Sequence, residues 1–175
     1  GYLYICGTPI GNLEDISFRV IRVLKEVDII AAEDTRQTKK ILKRYDIKTP
    51  ITSYHKFNIE EKSKYLIRQI LNGKSIALVS DAGMPAVSDP GEELVKAAID
   101  NNVTIIPIPG PSAVILSLAV SGFCTKSFVF EGFLPQKGKM RRRILKKLVE
   151  EKRTIVIYES RYRILKCLKD ILDVF

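Results

Sequence analysis

The run Ser75–Ser80 is nearly all apolar, the composition of a strand buried on both faces. Such a strand fits a parallel sheet covered by helices, and the rest of the chain is patterned to supply them. β-type runs are expected at 2–6, 28–32, 50–54, 75–80, 103–108, 127–130 and 154–158. Helical patterns alternate with them. Residues 16–26 place Val20, Val23, Leu24 and Val27 at helical spacing, and residues 35–45 form a basic helix with Ile41 and Leu42 toward the core. Residues 59–71 set Tyr65, Leu66 and Ile70 on a buried side, and Asn72-Gly73 stops that helix. Further helices are expected at 91–101, from Ser112 to about Gly122, at 141–151 and at 162–174, with 135–140 as a polar, basic loop. The expected fold class is α/β: a five-stranded, mostly parallel sheet followed by the start of a second, smaller α/β domain.

Charge divides the chain. Residues 126–175 hold 14 of the 29 Lys and Arg but only 6 of the 20 Asp and Glu, so nearly all of the net +9 lies there. Concentrated positive charge attracts a polyanion and releases its counterions. The shift sets an expected boundary, with a domain at 1–124 and a basic, incomplete α/β domain at 125–175. Lys137, Lys139, Arg141, Arg142, Arg143, Lys146 and Lys147 form one cluster suited to phosphate contacts; the plainer alternative is a solvated helix face. A hydrophobic fraction of 46% argues against disorder, and no apolar run approaches the ~20 residues of a membrane span. Cys6, Cys124 and Cys167 lack metal spacing and read as reduced thiols of a cytosolic protein, the first and last in apolar settings.

Three loops at expected strand ends have unusual chemistry: Gly7-Thr8-Pro9-Ile10-Gly11-Asn12, Asp81 to Gly91, and Pro109-Gly110-Pro111-Ser112-Ala113. Ligands of parallel sheets bind at that edge. Glycine allows close backbone approach, proline fixes a loop, and Ala82, Ala86 and Ala113 leave room for a flat ring. The pattern suits a nucleoside-containing cofactor held by backbone. It lacks the phosphate-cradling and dinucleotide glycine fingerprints.

These loops, with Ala32-Glu33-Asp34-Thr35-Arg36, Ser88-Asp89-Pro90-Gly91, Gly132-Phe133-Leu134-Pro135 and Tyr158-Glu159-Ser160, resemble the tetrapyrrole-methylase superfamily, the class III methyltransferases. Within it they look most like its bacterial 16S ribosomal RNA cytidine 2′-O-methyltransferases. The resemblance implies S-adenosylmethionine as cofactor, with Pro9, Asp81, Ala82, Gly83, Ala86, Ser112, Ala113, Tyr158 and Glu159 around it. It implies 16S ribosomal RNA in the small ribosomal subunit as partner, a cytoplasmic homodimer, and neither a metal nor a membrane. Relatives in a porphyrinoid branch, or a non-enzymatic RNA-binding module, are the alternatives.

Catalytic candidates are weaker. Ribose methylation needs loss of a hydroxyl proton, which makes His55, the single histidine, a candidate base; a structural histidine is the plainer reading. Glu33 and Asp34 follow a strand and either shape the site or cap the helix near Thr35.

Overall fold

The computed structural model describes all residues, 1–175. It divides into two compact units, Gly1–Ala113 and Val114–Phe175. This division falls ahead of the 124/125 boundary read from charge, because the basic segment begins later than the end of the first sheet.

In the first unit five strands lie in one parallel sheet: β1 (Tyr2–Cys6), β2 (Ile29–Ala32), β3 (Ile51–Ser53), β4 (Ile76–Val79) and β5 (Thr104–Ile108). Their order is β3-β2-β4-β1-β5. Side chains alternate between two cores, as a pleated strand requires. Cys6, Ile30, Ala32, Ala77 and Val79 face one core, with α1 (Phe18–Glu26) and α2 (Thr35–Arg44) packed on it through Val20, Val23, Leu24, Ile41 and Leu42. Leu3, Ile5, Ala31, Ile76 and Leu78 face the other, under α3 (Ile59–Leu71) and α4 (Glu92–Asp100). β4 is buried along its whole length. On α3 the inward residues are Ser63, Leu66, Ile67 and Ile70; Tyr65 is exposed, which corrects the expected stripe by one position. Ser63 takes the inner place because its hydroxyl meets that of Tyr54 at 3.0 Å.

The topology places a switch point. The connection leaving β1 runs over one face toward β2, and the one leaving β4 runs over the opposite face toward β5. β1 and β4 are neighbours, so the loops after them diverge at the carboxyl edge, where such sheets bind ligands.

The second unit holds α5 (Ala113–Ser121) from its second residue, then β6 (Phe128–Phe133), α6 (Gly138–Leu148), β7 (Thr154–Tyr158) and α7 (Ile164–Leu172). β6 and β7 pair in parallel, with an irregularity between Phe130 and Gly132. Leu134, Leu145 and Cys167 form its small core with Ile144, Ile157, Ile171 and Val174 around them. α6 starts at Gly138, so the expected loop at 135–140 is shorter: Arg141 N–H already donates to Lys137 C=O at 3.0 Å. Glycine is a poor helix former, but in the first turn its N–H has no helical partner to lose. No helix is long and apolar enough to cross a membrane.

Gly7 and Gly110 are in backbone contact: a Cβ on Gly110 would stand 2.7 Å from Gly7 Cα. Gly110→Ala should therefore force the loops after β1 and β5 apart and cost about 1–3 kcal/mol of stability. Urea denaturation of wild type and variant measures this.

Candidate functional site

Three loops of the first unit are laced together at the switch point. Thr8 N–H donates to Gly83 C=O at 2.9 Å and Gly83 N–H returns a bond to Thr8 C=O at 3.0 Å. Thr8, fully buried, also donates through Oγ1 to Ser80 C=O at 3.0 Å. The loop after β5 joins through the Gly7–Gly110 contact, and Pro111 C=O reaches the Cα side of Gly83. Pro9, Gly83 and Ser112 are thereby carried by connected loops. Ala82 lies exposed beside buried Gly83. Gly83 has a φ of +86°, so its requirement for glycine is conformational; an added Cβ would meet Ile10 and Pro111 only at ordinary contact distance. Ala86 and Ser88 also hold positive φ, +67° and +62°, in a loop where neither has glycine's freedom.

Carboxylates gather at the same strand ends. Asp81 Oδ1 accepts the Asp34 N–H at 3.0 Å, and Asp81 N–H points to Glu33 Oε2 at 3.5 Å. Asp81 therefore ties the ends of β2 and β4 together and does not cap its own turn. Asp34 caps α2, accepting from Arg36 N–H at 2.8 Å, and the Arg36 guanidinium holds its carboxyl down to about 2. The capping reading thus applies to Asp34. Glu33 has no such cation. Burial, then the neighbouring Asp89, Asp81 and Asp34, push its carboxyl up. Burial likewise raises Asp81 and Asp89, with Asp34 and Asp81 adding repulsion respectively.

His55 follows β3, and the fold brings it to the same cleft as Glu33 and Asp34. The cleft, of about 480 Å³, is also lined by Arg36, Lys56 and Phe57. Nδ1 of His55 is buried without a hydrogen-bond partner. Phe57 is 84% exposed, with Lys56 Nζ 4.9 Å from its ring centre. Arg36 was expected here with Glu33 and Asp34, whereas Lys56 and Phe57 were not; the signal for them was an aromatic after His55-Lys56 just past a strand.

In the second unit, Tyr158 ends β7 against Phe130 and Phe133, ring centres 4.8 and 5.4 Å away. The Glu159 side chain is nearly buried, paired with Arg163 at 2.8 Å, and accepts the Ser160 N–H at 2.7 Å; its Oε2 has no partner. The basic cluster needs a correction. Arg141 is 1% exposed, its guanidinium bonded to Asp170 and to the carbonyls of Pro135 and Gln136, so it is no phosphate contact. It lies on the inward stripe with Ile144, Leu145 and Leu148, a spacing visible in the sequence. Lys139, Arg142, Arg143, Lys146 and Lys147 line a groove of about 930 Å³ between α6 and α7, joined by Lys166, which the sequence reading missed because it sits on a different helix. Lys137 is exposed at the N-terminus of α6. The three cysteines are unpaired; burial pushes the Cys6 thiol up to about 12, which makes it unreactive.

A parallel α/β sheet with its loops interlocked at the switch point defines a class of small-molecule-binding α/β proteins. Residues 2–175 match the model of the Tetrapyrrole (Corrin/Porphyrin) Methylases, and the chain belongs to that family. It is 55% identical over 173 residues to a Halalkalibacterium halodurans protein named Ribosomal RNA small subunit methyltransferase I, covering 99% of this chain and 58% of that protein. A Thermotoga maritima protein of the same name is 49% identical over 174 residues, with 99% and 78% covered. The chain thus spans less than two thirds of the first of these relatives. Among solved structures, diphthine synthase superposes with a TM-score of 0.77 at 15% identity, covering 99% of this chain and 71% of that one. Cobalt precorrin-4 methyltransferase gives 0.73 at 18%, covering 99% and 74%. These two likenesses show the fold, including its α/β architecture.

A carboxyl raised by burial and like charge destabilises the fold above that raised value, and the cost disappears once pH falls below its unfolded value. Glu33→Gln should therefore raise the melting temperature at pH 7 and lose that advantage below about pH 4. Thermal melts across that range measure it; an equal gain at both ends would show that charge is not the cause.

Proposed function

We propose that the protein methylates small-subunit ribosomal RNA, taking the methyl group from S-adenosylmethionine and placing it on the ribose 2′-oxygen of a cytidine. The observation that carries this reading is the 55% identity, along nearly the whole chain, to a protein named for that class of activity. The ribose position rests on the resemblance of the loops to cytidine 2′-O-methyltransferases. A cytoplasmic homodimer acting on the small subunit is part of the same reading.

The donor set at the carboxyl edge fits this cofactor. Glu33, Asp81 and Asp89, none of them ion-paired, make the edge anionic, which repels a polyphosphate and favours a ligand bearing sulfonium and ammonium charges. Pro9, Ala82, Gly83, Ala86, Ser112 and Ala113 would hold it by shape and backbone, with Asp81 toward its ammonium or ribose hydroxyls. The resemblance assigns Tyr158 and Glu159 of the second unit to it as well. When bound, the group supplies an electrophilic methyl carbon. The protein's own residues orient the acceptor, exclude water and remove a proton from the attacking hydroxyl. His55, the imidazole that lines the cleft, is the candidate for that base. Arg143, Lys146, Lys147 and Lys166 would contact RNA phosphates from the α6–α7 groove.

Two measurements test this. The complete protein, given small ribosomal subunits and labelled donor, should yield a labelled ribose-methylated cytidine on nucleoside mass spectrometry. A methyl group retained on the free base would refute the ribose assignment. Reversing Arg143, Lys146 and Lys147 to Glu should weaken RNA binding and flatten the slope of log K against log[salt] by roughly 2, at about 0.7 for each phosphate no longer neutralised. Affinity for S-adenosylhomocysteine should be unchanged. Asp170→Ala, in contrast, should unfold the second unit by leaving Arg141 buried without its counter-charge, visible as a drop in melting temperature larger than for Asp173→Ala.

A further inference from the structure

Past the end of β3 the chain exposes a phenylalanine where a folded surface has no packing use for one. Phe57 is 84% exposed, and its neighbours are chemically sorted. Lys56 Nζ lies over its ring at 4.9 Å, and His55 meets it edge-on at 6.0 Å. The cleft beside it carries two carboxylates, Glu33 and Asp34, and two basic side chains, Arg36 and Lys56, with Arg36 paired to Asp34 at 2.8 Å, so its formal charge is balanced. Glu33 is partly buried, whereas Arg36 and Lys56 are exposed at the mouth. A free phosphate or a polyphosphate would meet the carboxylates as well as the cations. A nucleotide fits better: its phosphate remains at the basic rim while its sugar hydroxyls and amino group offer donors to Glu33, the acid inside that carries no ion pair. A volume of about 480 Å³ falls within the ~300–1,000 Å³ of pockets for small ligands.

We infer that this cleft receives one unstacked nucleotide of single-stranded RNA, with Phe57 as the platform for its base or that of its neighbour and with Lys56 and Arg36 at its phosphates. The inference rests on the RNA-methylation reading and narrows its substrate to an unpaired, splayed nucleotide. Duplex RNA keeps its bases stacked and offers no face to an aromatic side chain; single strands and loops do. The location gives the platform a purpose, since stacking beside His55 would bring a ribose to the imidazole that lines the cleft.

The test uses the complete protein and an oligoribonucleotide carrying 2-aminopurine, whose fluorescence is quenched on stacking. Wild type should quench the single-stranded probe and leave the already low fluorescence of its base-paired form unchanged. Phe57→Leu should abolish the quench and weaken binding about tenfold. Phe57→Trp should restore both. Melting temperature and affinity for S-adenosylhomocysteine should match wild type in each variant, which separates loss of the platform from loss of the fold. If Phe57→Leu binds and quenches like wild type, the platform is refuted while RNA methylation stands. Displacement of the single-stranded probe by unlabelled base-paired RNA as effective as that by the unlabelled single strand would overturn the unpaired-nucleotide assignment. Failure of wild type to bind either form would overturn the inference, and failure to methylate the small subunit would then remove the reading beneath it.

Discussion

The carboxyl edge of the first unit depends on two glycines that touch. Gly7 and Gly110 follow adjacent strands, β1 and β5, and neither position has space for a Cβ. Their contact lets the loops close down beside one another, and the reciprocal Thr8–Gly83 bonds then add the loop after β4. Backbone groups in all three loops are fixed before any ligand arrives. Pre-organisation of this kind reduces the ordering cost of binding. It also explains why proline is frequent in these segments: Pro9, Pro85, Pro109 and Pro111 restrict the chain where helix and sheet do not.

Charge is divided between the units. The first concentrates carboxylates at its strand ends, several of them held above their ordinary values by burial and by one another. The second concentrates bases along α6 and on α7. One arrangement favours a small cation and the other a polyanion, so a single chain carries two electrostatically opposite surfaces. The near-neutral first unit and the basic second unit perform different electrostatic work, although a single net charge describes the whole sequence.

Much of this was legible in the sequence. Short apolar runs located the seven strands, because β4 and its neighbours bury both faces and admit few polar side chains, and period-3.6 patterning located the seven α-helices, all within a few residues. The glycine- and proline-rich loops were visible because their backbone demands restrict residue type. Other features depend on tertiary partners. Arg141 sits in a run of three arginines that look equivalent until Asp170, 29 residues away, selects one. Lys166 joins a groove made by α6, and Tyr65 yields its inward place to Ser63 because the Tyr54 hydroxyl waits there. The cleft of Glu33, Asp34 and His55 requires β3 beside β2, a pairing no local pattern specifies.

The buried Arg141–Asp170 pair bears on how the second unit finds its register. Arg141, Arg142 and Arg143 present the same guanidinium at successive angles of about 100° around α6. A helix rotated by one residue could offer Asp170 an arginine again, so the ionic contact barely distinguishes right from wrong. Leu145 and Leu148 do distinguish them: Lys146 follows the first and Lys147 precedes the second, so rotation by one residue in either direction would bring one lysine into the core. Shape and desolvation therefore choose the register, and charge then holds it. During folding, the degenerate arginines are a source of frustration that the leucines must resolve before the pair becomes an asset.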